Sequence, residues 1–156
     1  MSTGIEFFST PHQRLLLLVL IALLGLGGPA HAAEPGRVIT LSLVLDPSAP
    51  ATLYAGTLGR GVFVSRDGGA GWSPSGLTGG SIYTLVIDPA EPATLYAGGS
   101  GIFKSRDGGA TWTALTAGQP ELRATVALVI DPARPSTLYA GTSYGSIFRT
   151  TDGGAT

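Results

Sequence analysis

Apolar residues in this chain come in short runs closed by Gly, Pro or Asp, and the runs recur in a fixed order. In the middle of the chain, residues 81–87 read S-I-Y-T-L-V-I and stop at Asp88-Pro89. β-Branched and large apolar residues bounded by a turn pair predict a strand, since Pro fixes φ and Asp can bond its own backbone two residues on. That strand is expected to be the innermost and most buried of its sheet. Residues 89–92 make a short rigid connection, and residues 93–98, A-T-L-Y-A-G, predict a second strand with Leu95 and Tyr96 on opposite faces. Leu95 is expected to be packed, with Tyr96 facing the neighbouring sheet or the far side of its own. Gly99-Ser100-Gly101 turns the chain into a third strand over 102–105, and a hairpin leads to a fourth strand starting at Trp112.

The same order occurs three times. L-V-L-D-P-S-A-P-A-T-L-Y-A-G at 43–56 returns as L-V-I-D-P-A-E-P-A-T-L-Y-A-G at 85–98 and as L-V-I-D-P-A-R-P-S-T-L-Y-A-G at 128–141, and Asp46, Asp88 and Asp131 stand 42 and 43 residues apart. A second signature travels in step: S-R-D-G-G-A-G-W at 65–72, S-R-D-G-G-A-T-W at 105–112, and T-T-D-G-G-A-T at 150–156, one residue short of the expected Trp. A period near forty-two with four short strands is that of a propeller blade rather than of most helical repeats. The prediction is an all-β, incomplete β-propeller of about 2.7 four-stranded antiparallel blades after an N-terminal signal helix.

The first residues differ from the repeats. Arg14 precedes an apolar run from Leu15 to Leu26, followed by Gly27-Gly28-Pro29 and the small-residue site Ala30-His31-Ala32. This is the order of a secretory signal peptide, cut between Ala32 and Ala33, and the run is shorter than the roughly 20 residues of a membrane span. Residues 1–32 are thus expected to be a signal peptide and 33–37 a linker. Blades are expected at 38–80, 81–124 and, in part, 125–156. The mature protein is expected to be secreted or periplasmic, touching a membrane only through the signal segment if that is uncleaved.

Composition then removes whole classes of chemistry. There is no Cys, and the two histidines, His12 and His31, both precede the expected mature start. Without them the mature chain has no Ser-His-Asp or Cys-His nucleophile system and no imidazole or thiolate for zinc. A net charge of −1 with scattered basic residues gives no footprint for nucleic acid. No cofactor is expected.

The eight-residue signature has a structural reason for each of its residues. Asp107 is expected to accept hydrogen bonds from loop N–H groups, Gly108 and Gly109 to supply the positive φ of a tight hairpin, and Ser105 to tie its base. Trp112 is expected to bury its ring between sheets while its indole N–H finds a partner. Ser65, Asp67, Gly69 and Trp72 repeat the set, and Asp152 and Gly154 repeat part of it. The pattern S-x-D-x-G-x-T-W resembles the Asp-box, or bacterial neuraminidase repeat. The blocks D-P-x-x-P-x-T-L-Y-A-G followed by such a box look like blades of sialidase-like and sortilin-like propellers, of xyloglucan-degrading glycosidases and of photosystem II assembly factors. The resemblance covers residues 38–156 and implies the fold. In those families the box is a structural hairpin away from the catalytic centre, so the resemblance implies no catalytic residue here.

Three readings of the blade count stay open: a fragment of a longer propeller, a chain that self-associates with other copies, or a short open array. A single-chain propeller closes with about four to eight blades, and a repeat evolved as a cap diverges rather than stopping at full match, which favours the fragment.

Setting Glu6 aside leaves nine carboxylates in the mature chain. Six belong to the hairpin signature or the DP turns, and Glu34, Glu91 and Glu121 remain. Glycoside hydrolysis needs two carboxyl groups facing one bond, and no such pair is identified; Glu121 is the least implausible single candidate. Sialidases also use an arginine cluster, but Arg37, Arg60, Arg123 and Arg149 match no motif that carries that role over. One carboxylate per loop falls short of a calcium site, so no metal is expected. The variable connections are the better place for binding residues, and Arg60, Arg123 and Tyr144 are the candidates. The expected function is a non-enzymatic binding or assembly scaffold for protein or glycan. The alternatives are a fragment of a propeller glycoside hydrolase with its catalytic residues outside this chain, and a helper in assembling a membrane complex.

Overall fold

The computed structural model describes residues 38–115 and 120–155, all within one compact unit spanning 32–156. The expected signal helix, its cleavage site, Glu34 and Arg37 lie outside the described residues. Among the described residues the chain forms eleven strands in three antiparallel sheets, and no helix is long and apolar enough to cross a membrane.

The first sheet is a meander of β1 (Thr40–Leu45), β2 (Leu53–Thr57), β3 (Gly61–Ser65) and β4 (Ser73–Thr78). The second repeats it with β5 (Thr84–Ile87), β6 (Leu95–Gly98), β7 (Ile102–Ser105) and β8 (Thr113–Ala114). The third has β9 (Thr125–Ile130), β10 (Leu138–Thr142) and β11 (Ile147–Thr150). Register is the same in each. Val44–Tyr54–Val64, Val86–Tyr96–Lys104 and Val129–Tyr139–Arg149 are equivalent cross-strand rows, so equal sequence spacing has produced equal pairing. These are two blades of four strands and one of three.

Alternation along the strands decides which face meets which neighbour. Tyr54, Val62 and Val64 of the first sheet pack on Leu85, Leu95 and Ala97 of the second. On the other face of the second sheet, Tyr96 and Ile102 pack on Leu128, Leu138 and Ala140 of the third. Leu95 and Tyr96, adjacent in sequence, therefore belong to different cores, one on each side of the sheet. Full burial of a leucine contributes about 1.5–3 kcal/mol, so each core is a substantial joint between sheets.

Two expectations need correction. The 81–87 segment is not the most buried strand: in β5 only Leu85 is buried, whereas all four residues of β6 are. The cause is position, since β5 is the edge of its sheet and has one strand neighbour, while β6 lies between β5 and β7 with a sheet against each face. The fourth strand does not begin at Trp112. It comprises Thr113–Ala114, and Trp112 spends its ring on the first core instead. In the first sheet the fourth strand runs on to Thr78, through residues expected to be inter-blade link.

Candidate functional site

Because each sheet is a meander, its turns fall on two opposite rims. The connections between first and second strands share a rim with those between third and fourth, and the remaining connections share the other.

The first of these rims is closed on itself. Ser105 Oγ donates to Asp107 Oδ1 at 2.8 Å and accepts the Gly109 N–H at 2.9 Å, while Thr111 N–H and its hydroxyl both donate to Asp107. Gly108 and Gly109, at φ of 66° and 81°, lie where a side chain is strained. Trp112 Nε1 donates to the Gly109 carbonyl at 3.1 Å. The Ser65–Trp72 hairpin repeats these bonds, with Gly71 N–H donating to Asp67 and Trp72 Nε1 to Gly69. At the third copy Thr150 Oγ1 takes the place of serine, donating to Asp152 and accepting from Gly154.

The hairpins are also tied to the neighbouring turns of their own sheets. Gly68, Gly108 and Gly153 N–H groups donate to the carbonyls of Ala51, Ala93 and Ser136. The Asp46, Asp88 and Asp131 carboxylates accept backbone N–H groups two residues on, from Ser48, Ala90 and Ala133. Arg134 adds an ion pair to Asp131 at 3.1 Å.

These bonds set the electrostatics. The Thr111 hydroxyl and N–H, with help from Ser105, hold Asp107 down to about 2. Asp67 is lowered chiefly by the Gly71 N–H, and Asp131 chiefly by the Ala133 N–H. Carboxylates stabilised as anions in this way are poor proton donors near neutrality.

The same rim carries a contact that sequence reasoning missed. Tyr54 Oη donates to the Gly108 carbonyl of the next sheet at 3.1 Å, and Tyr96 Oη to the Gly153 carbonyl at 3.3 Å. Burial, with a smaller contribution from Asp46 and opposition from Arg66, pushes the Tyr54 phenol up, which keeps the donor protonated. Lys104 Nζ also donates to Gly153 O, at 3.0 Å, and lies 4.9 Å from the Tyr96 ring centroid. The signal was the recurrence of Tyr54, Tyr96 and Tyr139 at one place in each block, though spacing alone does not reveal a partner one block further on.

The opposite rim holds the candidate binding residues. Arg60 is exposed in the β2–β3 turn, and Tyr144, 77% exposed, stands in the β10–β11 turn. Arg123 is exposed after a short 3-10 turn, Pro120–Leu122, which also contains Glu121 and buries Leu122 beneath it. The Ser143 N–H donates to the Ala124 carbonyl at 3.1 Å, which brings the Arg123 and Tyr144 loops together. Arg60 stands two sheets away from Tyr144, in the β2–β3 turn of the first sheet, where Gly61 N–H reaches the Gly80 carbonyl. Arg149 is on β11, away from this rim's turns. Among the described residues no group of three or more Asp, Glu, His or Cys converges as for a metal.

Between the second and third sheets is an apolar cavity of about 230 Å3, bordered by Leu115, Leu128, Leu138, Phe148 and Gly154.

No protein-family model matches the sequence, and no curated protein does. Solved structures do match. An ancestral GH74 enzyme is similar over 76% of this chain at 20% identity and a TM-score of 0.64, and the GH74 enzyme of Niastella koreensis over 75% at 24% and 0.58. YCF48 from Cyanidioschyzon merolae is similar over 81% at 18% identity and 0.64, and YCF48 bound to D1 peptide over 83% at 17% and 0.59. The chain spans only 18% and 22% of the two enzymes and 38% and 45% of the two YCF48 chains. Likeness at such identity is likeness of fold, and the fold shared with these proteins is the β-propeller.

Proposed function

We propose that this chain is an exported Asp-box propeller segment that serves as a non-enzymatic binding scaffold, engaging a protein through the rim of Arg60, Arg123 and Tyr144. The division between the rims carries this reading. On one rim Asp46, Asp67, Asp88, Asp107, Asp131 and Asp152 are bonded into their own turns; on the other, exposed Arg and Tyr side chains stand on loops that differ between blades. Tyr and Arg are residue types that anchor protein interfaces. YCF48, similar in fold, has a structure bound to D1 peptide, which supports a protein as partner over a glycan. In this reading Ser65, Asp67, Gly69 and Trp72, with their counterparts in the next two blades, are the structural hairpins of the Asp-box. Residues 1–32 are the signal peptide, and export places the mature chain, from Ala33, outside the cytoplasm. The likeness to GH74 enzymes supports one rival, a piece of a longer glycoside hydrolase.

The test is expression with the envelope fractions kept separate. The exported form is expected to begin at Ala33 and to show a cross-linked protein partner that is lost when Arg60, Arg123 and Tyr144 are all replaced by Ala. Replacing Arg66 and Arg106 on the opposite rim leaves the partner bound. Retention by the triple variant, or hydrolysis of xyloglucan by the unmodified chain, overturns the proposal.

A further inference from the structure

Among the described residues Ala124 is the only one other than glycine with a positive φ, at 56°. Its Cβ there crowds the following carbonyl oxygen, so an alanine keeps this left-handed conformation only where its surroundings impose it. Here they impose it from both sides. The Arg123 N–H donates to the Pro120 carbonyl at 3.2 Å, and the buried Thr125 hydroxyl donates to the Leu122 carbonyl at 2.7 Å. The Thr125 N–H reaches the Gly99 carbonyl at 2.9 Å, and the Ala124 carbonyl accepts the Ser143 N–H at 3.1 Å.

The link between the first two sheets supplies the comparison. Its Ile82 N–H donates to Thr57 O at 2.9 Å, as Thr125 N–H does to Gly99 O, and Thr57 and Gly99 each follow the L-Y-A-G of their blades. Ser81 and Ala124 therefore correspond, and so do Gly80 and Arg123. In the first link the positive φ falls on Gly79 and Gly80, at 75° and 70°, where no Cβ resists it. In the second, the residue in the place of Gly80 carries a side chain, and the positive φ has moved one position on, to Ala124. Arg123 keeps ordinary backbone geometry because the alanine behind it does not.

We infer that Ala124 is a positioning residue: its strained backbone presents Arg123 at a fixed place beside the Tyr144 loop, so that the two side chains meet a partner as one preformed surface. Order set before contact leaves less freedom to lose on contact, which is how rigid loops gain affinity. Glycine at 124 would reach the same φ without strain but would not hold it, whereas asparagine tolerates the left-handed region and is less free than glycine. The inference rests on the rim of Arg60, Arg123 and Tyr144 being a docking face, and its test includes a readout that needs no partner.

The full 156-residue chain is prepared with Ala124→Gly and with Ala124→Asn, and trypsin cleavage after Arg123 is timed by mass spectrometry. Synthetic peptides spanning 120–128, with the same residue at 124, correct for trypsin's own preference. Ala124→Gly is expected to raise the thermal midpoint by roughly 3 °C as strain is released. It should nevertheless speed cleavage after Arg123 about fivefold, because the loop opens more often, and leave cleavage after Arg60 in the first sheet at its former rate. Ala124→Asn should raise the midpoint too, with cleavage after Arg123 within about twofold of the unmodified chain. The yield of cross-linked partner is expected to fall in Ala124→Gly about as far as in Arg123→Ala, and to persist in Ala124→Asn. A lower midpoint in both variants, or unaltered cleavage after Arg123 in Ala124→Gly, overturns the inference, as does full partner yield in Ala124→Gly where Arg123→Ala has lost it. Full yield with Arg123→Ala counts instead against the docking face, and the midpoints and cleavage rates then decide on Ala124 alone.

Discussion

Replacing Ser105 by Ala removes a hydroxyl that is 1% exposed and serves as the hub of its hairpin. Its oxygen accepts the buried Gly109 N–H at 2.9 Å and donates to Asp107 at 2.8 Å. Alanine leaves that N–H without a partner inside the protein, and an orphaned buried donor costs about 1–3 kcal/mol. The upper half of that range is expected here, because the carbonyl of Gly109 also seats Trp112, and loosening the glycine disturbs both. The other two copies provide graded controls. Ser65 makes the same bonds, but Gly69 is only half-buried, so water can take over part of the lost interaction and Ser65→Ala should cost about 1–2 kcal/mol. At the third copy the Gly154 N–H reaches Thr150 Oγ1 at 3.2 Å in a half-exposed setting, and Thr150→Ala should cost less than about 1 kcal/mol. Urea unfolding followed by circular dichroism measures the series. With a slope of about 1–3 kcal/mol per molar, a loss of about 2 kcal/mol moves the midpoint by roughly 1 M. Equal losses at the three positions, or the largest at Thr150, would refute the account of the hairpin as a hub whose worth follows its burial.

Acid sensitivity should follow from the lowered carboxylates. Asp107 sits at about 2 against an ordinary 3.8, so its stabilising contribution is complete above about pH 4 and disappears as the pH falls towards 2; Asp67 and Asp131 act in the same direction. Asp107→Asn should flatten the stability profile in that window, and an unchanged profile contradicts the assignment. A Cβ at Gly76 would overlap the Ala110 carbonyl oxygen of the next sheet, and Gly76 N–H donates to the Gly109 carbonyl at 2.8 Å. Gly76→Ala is therefore expected to cost about 3 kcal/mol, read as a lowered thermal midpoint, whereas a neutral substitution would mean the sheets separate freely there. Leu95→Ala should cost about 2–5 kcal/mol, while Val129→Ala, at a position 59% exposed, should fall within about 0.5 kcal/mol of the unmodified chain in the same assay.

The fold was legible because its determinants are local and repeated. The DP pairs marked strand ends, T-L-Y-A-G marked strands, and the spacing of Asp46, Asp88 and Asp131 fixed how many residues each sheet receives. Burial was less legible, since the apolar content of residues 81–87 does not disclose that their strand is an edge, which depends on the order of strands in the sheet. The Tyr54 and Tyr96 hydroxyl contacts span 54 and 57 residues and depend on how one sheet rests on the next. Arg60, Arg123 and Tyr144 could be named as loop residues from their spacing. That their loops share a rim follows only from the meander, and the adjacency of Arg123 and Tyr144 from the Ser143–Ala124 bond.

The tyrosine hydroxyls give the stack a direction. Each reaches forward to a carbonyl in the hairpin of the following sheet, and no joint is a mirror of itself. A fault in one hairpin is therefore felt upstream: disturbing residues 105–109 unseats Tyr54 in the sheet before, while Tyr96, anchored at Gly153, keeps its hold. Along such a row, damage travels towards the amino terminus, against the order in which a ribosome makes it.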